Sequence, residues 1–131
     1  MREKFGVDPF VTGNFSSCSY AVALAFAMAG DEYHATYTHV AALLERNVRV
    51  LIYVGIYDWT CNWVGNQAWT LNMEWSGKEA FGQQPLQPWL VEGQVAGKTR
   101  SAKGLTFATI DGAGHMVSVQ FTSTPTVNLQ G

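Results

Sequence analysis

Residues Val48 to Gly55 read VRVLIYVG, and this segment says most about the architecture of the chain. It is a short run of β-branched and aromatic residues with almost no polar alternation, the habit of a strand buried on both faces in a parallel sheet covered by helices. Upstream, Asp31 to Asn47 sets Tyr33, Tyr37, Val40, Ala41 and Leu44 at three- and four-residue intervals, which predicts an amphipathic helix. Arg46 suits its last turn and Asn47 ends it. Downstream, Ile56-Tyr57-Asp58-Trp59 forms the loop at the strand's C-terminal end. Asn62 to Trp75 then returns to helical spacing through Val64, Ala68 and Leu71, and Ser76-Gly77 stops it. After a Gln/Pro-rich connection comes a zone of short strands, Trp89 to Val95 and Gly104 to Ile110, with Gly97-Lys98 as a turn candidate. Helix, buried strand, helix and further strands make an α/β layer arrangement.

The two ends differ from this middle. Residues 1–20 mix Gly, Pro, Asn and Ser with isolated aromatics, an irregular pattern. Val117 to Gly131 is rich in Ser, Thr, Pro and Gln with no helical period, so it is expected to be a divergent, poorly ordered tail. At 131 residues the chain is one domain at most. A net charge of −2 without a basic cluster excludes the usual electrostatic footprint of a nucleic-acid binder. The longest uncharged apolar stretch, Tyr20 to Ala29, falls far short of the roughly 20 residues that span a bilayer. No basic segment followed by an apolar core opens the chain, so the signal of a secretory protein would lie elsewhere. Two cysteines are too few for a disulfide scaffold, and neither has the spacing of structural zinc. Only 14% of residues are charged, against about 25% in a typical soluble domain. With five Trp, seven Phe and five Tyr, that balance implies surfaces ordinarily covered by something else, as in a fragment.

Two loops that end strands carry titratable groups: residues 55–63, with Asp58, and Asp111-Gly112-Ala113-Gly114-His115-Met116. Functional residues of open α/β sheets gather beyond the carboxyl ends of strands. An Asp on one such loop followed by a His on a later one is the chain order of an α/β-hydrolase triad, Ser, Asp, His. The glycines before His115 let the backbone turn sharply enough to bring the imidazole to a partner. The neutral account of Asp58 is a turn or helix N-terminal residue, and that of His115 a hydrogen-bonded loop histidine. His34 and His39 stand five apart on different faces of the first helix, which argues against a metal role.

At these loops the sequence resembles the C-terminal third of a serine carboxypeptidase, the α/β-hydrolase family that includes carboxypeptidase Y-like vacuolar enzymes. The likeness runs from about Met1 to Met116 and is strongest in DWTCNWVGNQAW and GAGHM. It implies that residues 1–116 are the C-terminal part of an α/β-hydrolase sheet with flanking helices, its final helix missing. It also implies that Asp58 orients a catalytic His, that His115 is the general base, and that Cys61 and Met116 line the substrate site. The implied activity is removal of C-terminal residues from peptides, with a peptide as partner, no metal and no cofactor. The implied location is vacuolar or secreted, where the sequon Asn14-Phe15-Ser16 matters as a glycosylation site. The resemblance further implies that Cys18 is a structural half-cystine whose partner lies near the family's N-terminus, with no counterpart in these residues. A free buried Cys18 or a bridge to Cys61 are the alternatives.

The triad's nucleophile has no counterpart. The family's Ser sits on a G-x-S-x-G-like elbow upstream, and no such elbow occurs in these residues. Ser16, Ser17 and Ser19 lack flanking glycines, and Ser76 and Ser101 sit in turn-like contexts. Three readings follow: a carboxypeptidase segment inactive alone, the small chain of a two-chain enzyme, or a non-catalytic binding protein. In the first, a sheet lacking its early strands leaves VRVLIYVG with an open edge and an uncovered face, prone to association.

Overall fold

A computed structural model describes residues 18–117. The sequon at Asn14 and the tail from residue 118 onward lie outside the described residues. The chain divides into two units, Met1–Ala35 and Thr36–Gly131.

In the first unit, α1 spans Tyr20–Met28, a helix of apolar residues none of which is buried. The Ser19 hydroxyl accepts from the Val22 amide at 3.5 Å, capping its start. Gly30 then takes a left-handed φ of 68° and opens a single 3₁₀ turn, Asp31–Tyr33. The helix expected across Asp31 to Asn47 is therefore interrupted. His34 is extended, and α2 runs only over Tyr37–Glu45. Tyr33 and Tyr37, two members of the apolar stripe, are exposed. Regular spacing marks which side chains share a face, but the 3₁₀ turn takes up part of the register before any face forms.

In the second unit, Leu44, with Val40 and Ala41 beside it, docks α2 on the core. Asn47, at φ 60°, reverses the chain as its position in sequence predicts, and the Val48 amide returns to the Leu43 carbonyl at 3.0 Å. β1 follows at Val50–Gly55. α3 occupies Trp63–Asn72, stopping three residues short of the predicted Trp75. Met73 turns extended and almost fully buried, and Ser76-Gly77 precedes a further short helix, α4, at Lys78–Gly82.

β2 (Gln87–Val91), β3 (Gln94–Ala102) and β4 (Leu105–Ile110) complete a four-stranded sheet of order β1-β4-β3-β2. β1 and β4 are parallel, from Val50 opposite Leu105 to Gly55 opposite Ile110. The other two pairs are antiparallel, so the sheet is mixed, not wholly parallel. Both hairpins turn on a residue pair with positive φ, Glu92-Gly93 and Lys103-Gly104, which matches the twist of the strands. The turn expected at Gly97-Lys98 is instead mid-strand. Gly97 is the bare patch of β3 across which the Trp89 indole reaches to donate to the Thr109 carbonyl at 2.9 Å. A Cβ at Gly97 would collide with both partners.

The core gathers on one face of the sheet. Leu105, Phe107 and Val54 meet Leu44 and Phe81 from the helices and Met73 just after α3. The Phe81 ring lies 6.5 Å from that of Trp75 in an edge-on contact, with the Arg100 guanidinium over it at 5.7 Å. β1 is buried on this face alone. Leu51 and Tyr53, on its other face, are 58% and 56% exposed, so within this chain the two-faced burial favoured by VRVLIYVG is not met and the strand has the uncovered face expected of a sheet segment without its neighbours. Among the described residues β1 is also an edge strand, paired with β4 only.

Candidate active site

Asp58 and His115 are 57 positions apart in sequence, and the parallel β1–β4 pair closes that gap. Two parallel neighbours in register end at the same rim of the sheet, so the loops after Gly55 and Ile110 leave side by side. They are stitched together by the Ile56 amide on the Ile110 carbonyl at 3.1 Å and the Tyr57 amide on the Ala113 carbonyl at 2.9 Å. Gly55 makes the close approach possible: an ideal Cβ there would stand 2.5 Å from the Gly114 oxygen and 2.6 Å from the Ala113 carbonyl carbon.

At this rim Asp58 is 7% exposed. Its Oδ1 accepts from the Cys61 amide at 2.9 Å, and its Oδ2 lies 2.9 Å from His115 Nδ1. The Cys61 amide is the main influence holding the Asp58 carboxyl below its ordinary value of 3.8. Burial opposes it, and the hydrogen bond from His115 adds to the lowering. A charged carboxylate that accepts from Nδ1–H fixes the neutral imidazole in the tautomer whose Nε2 is an acceptor. The His115 side chain is 62% exposed, so the ring is open to an incoming group.

A cleft of about 280 Å³ opens over the pair. Cys61 and Met116, the two residues singled out for a substrate site, both line it, together with Tyr53 and Asn66. Met116 is 61% exposed and Cys61 is an exposed thiol. Cys61 forms no disulfide, so the bridge to Cys18 considered from sequence is not made. Cys18 itself is exposed, which removes the alternative of a buried thiol. His34 and His39 are exposed, with His34 Nδ1 3.9 Å from Asp31.

Donor atoms of Asp58, Cys61 and His115 fall within 4.8 Å of one another, close to the dimensions of a metal site. The hydrogen bonds argue for another use. Here both Asp58 oxygens and His115 Nδ1 are engaged with each other and with the Cys61 amide, the pairing that a proton-handling Asp–His couple requires.

Asn66 and Trp69 were not legible as site residues. The Asn66 amide nitrogen donates to the Cys61 and Asn62 carbonyls, each at 3.0 Å, and its oxygen accepts from the Trp69 indole at 3.0 Å. Their sequence signal is their place inside DWTCNWVGNQAW, which marks the stretch but gives neither residue a role.

The serine carboxypeptidase family (Peptidase_S10) matches residues 1–128. Carboxypeptidase Y of Candida albicans is 42% identical over 79% of this chain, which covers 19% of that protein. A vacuolar serine-type carboxypeptidase of Saccharomyces cerevisiae is 38% identical over 89% of the chain and 23% of its own length. The chain thus spans about a fifth of the length of these curated relatives. The fold resembles that of a prohormone-processing carboxypeptidase from Saccharomyces cerevisiae, with a TM-score of 0.57 and 23% identity over 67% of this chain and 20% of that one. No described helix is long and apolar enough to cross a membrane. By the extent of the family match, the chain belongs to the serine carboxypeptidase family.

Proposed function

We propose that this chain is the C-terminal part of a serine carboxypeptidase and supplies the acid and base of its Ser-His-Asp triad. The observation that carries the reading is the 2.9 Å contact between Asp58 Oδ2 and His115 Nδ1 at the shared rim of two parallel strands. His115 takes the proton of a serine hydroxyl through Nε2 as that oxygen attacks the C-terminal peptide bond. It returns the proton to the leaving amine, and Asp58 stabilises the imidazolium in between without itself becoming protonated. Cys61 and Met116 present soft, adaptable surface to the substrate side chain beside the scissile bond. The serine and its oxyanion-hole amides belong to a polypeptide segment outside these 131 residues, which contain no G-x-S-x-G elbow. An oxyanion donor alone is worth roughly 2.7–4 kcal/mol of transition-state stabilisation, so the isolated chain is inactive. The complete protein works in the vacuole or outside the cell, as the name of the yeast relative suggests for the first, and there Asn14 is open to glycosylation.

Fluorophosphonate labelling tests the proposal. The purified chain is probed alone and after co-expression with an N-terminal carboxypeptidase segment carrying the serine elbow. Labelling that needs both parts, and that falls about 10⁴-fold in Asp58→Asn, is the expected result. A soluble, folded complex that fails to label would overturn it in favour of a non-catalytic binding role.

A further inference from the structure

The pair at the rim depends on a turn, residues 58–62, that joins β1 to α3. One end of that turn is fixed by Asp58 itself, whose Oδ1 accepts the Cys61 amide. The other end is fixed by Asn66, one turn into α3, whose amide nitrogen reaches back to the Cys61 and Asn62 carbonyls. The orientation of this side chain follows from its partners. An indole N–H can only donate, so the Asn66 oxygen must face Trp69, and the two carbonyls can only accept, so the nitrogen must face them. Trp69 in turn packs against the hydrophobic core. The start of α3 does not need Asn66 as a cap, because Asn62 already accepts the Gly65 amide at 2.8 Å. Asparagine is a poor helix former, so its place inside α3 calls for another reason.

We propose that Asn66 is a positioning residue for the Asp58–His115 pair: anchored through Trp69 to the core, it clamps the Cys61 carbonyl and so holds the Cys61 amide on Asp58. The proposal rests on the reading of this pair as the proton-handling half of the site. It extends the site inward in one connected path, from core to Trp69, Asn66, the Cys61 backbone, Asp58 and His115. The lowered titration of Asp58 agrees with it, since the Cys61 amide is the largest influence on that carboxylate.

The test is NMR of the full chain, with neither nucleophile nor turnover required. Hydrogen exchange of the Cys61 amide and titration of the Asp58 carboxyl are followed in the parent, Asn66→Ala, Trp69→Phe and Asn72→Ala. The last is a control: Asn72 makes a similar bond, to the Ala68 carbonyl at 2.8 Å, at the far end of α3. In Asn66→Ala, Cys61 exchange accelerates roughly five- to tenfold and the Asp58 midpoint moves upward. Trp69→Phe, which keeps a six-membered aromatic ring against the core but removes the indole N–H together with its five-membered ring, moves both readouts in the same direction, and Asn72→Ala moves neither. Unchanged readouts in a folded Asn66→Ala, or equal changes in Asn72→Ala, overturn the proposal. Should Asn66→Ala not fold, Trp69→Phe decides, and its failure to move Cys61 exchange is equally fatal. Because these readouts are independent of labelling, a failed carboxypeptidase reading with intact exchange effects is distinguishable from a failed clamp.

Discussion

Replacing Gly55 by alanine tests how the two loops are brought together. The added methyl would point at the backbone that carries His115, meeting the Gly114 oxygen at 2.5 Å where ordinary contact begins at 3.4 Å. The oxygen must therefore retreat by about 0.9 Å. These obstructing atoms are backbone, so no side-chain rotation relieves the clash, and the 113–115 loop moves as a unit. Two contacts lie on that loop: the Tyr57 amide on the Ala113 carbonyl, and His115 Nδ1 on Asp58, both at 2.9 Å. If the whole displacement reaches the imidazole, its distance to Asp58 passes beyond hydrogen-bonding range. Overpacking costs about 1–3 kcal/mol and the lost Tyr57 backbone bond about 0.5–1.5 kcal/mol, which together lower the melting temperature by roughly 5–16 °C. Thermal unfolding followed by circular dichroism measures the first effect, and the hydrogen-bonded Nδ1 proton in NMR spectra reports the second. Gly82→Ala is the matched control, since its Cβ would meet nothing within 4 Å. A Gly55→Ala protein that melts with the parent and keeps the bonded Nδ1 proton refutes the argument that this glycine lets the site assemble.

Other predictions follow from burial and charge. The fold holds the Asp58 carboxyl below its ordinary 3.8, so the unfolded chain binds that proton more readily. The stability Asp58 adds is thus present above about pH 4 and is lost as the pH falls through the lower folded value; urea unfolding between pH 3 and 6 should show a shallower acid loss in Asp58→Asn. Phe107, 1% exposed at the centre of the core, should cost about 3–5 kcal/mol when cut to alanine, read as a lower urea midpoint at unchanged slope. Leu51→Lys, at a side chain 58% exposed, should change the unfolding free energy by less than about 0.5 kcal/mol. A concentration-dependent loss there instead would reveal that this face of β1 is covered by self-association.

Some of this molecule is plain in its sequence. VRVLIYVG could hardly be other than a strand, and the stop at Asn47 could be placed because asparagine tolerates a left-handed backbone. The loops bearing Asp58 and His115 were also legible, since each ends a strand. Misreadings came from signals with two meanings. Gly97 looked like a turn because glycine commonly serves one, yet here it clears the path of the Trp89 indole. The stripe from Tyr33 to Leu44 looked like one helix because spacing cannot register the 3₁₀ turn within it. VRVLIYVG favours burial on both faces, but among the described residues one face has no neighbours to meet it, as the reading of a sheet segment without its early strands expects.

What the sequence determined alone is chemistry and order: which side chains can carry a proton, which segments form strand or helix, and the family resemblance carried by DWTCNWVGNQAW and GAGHM. Tertiary structure decided proximity. Only the parallel register of β1 with β4, and the bare Gly55 at their common end, sets His115 beside Asp58. Only the packing of α3 shows that Asn66 faces the turn behind Cys61. A distance across a sheet depends on which strands pair and in what register, and local preferences of the chain do not encode that pairing one residue at a time.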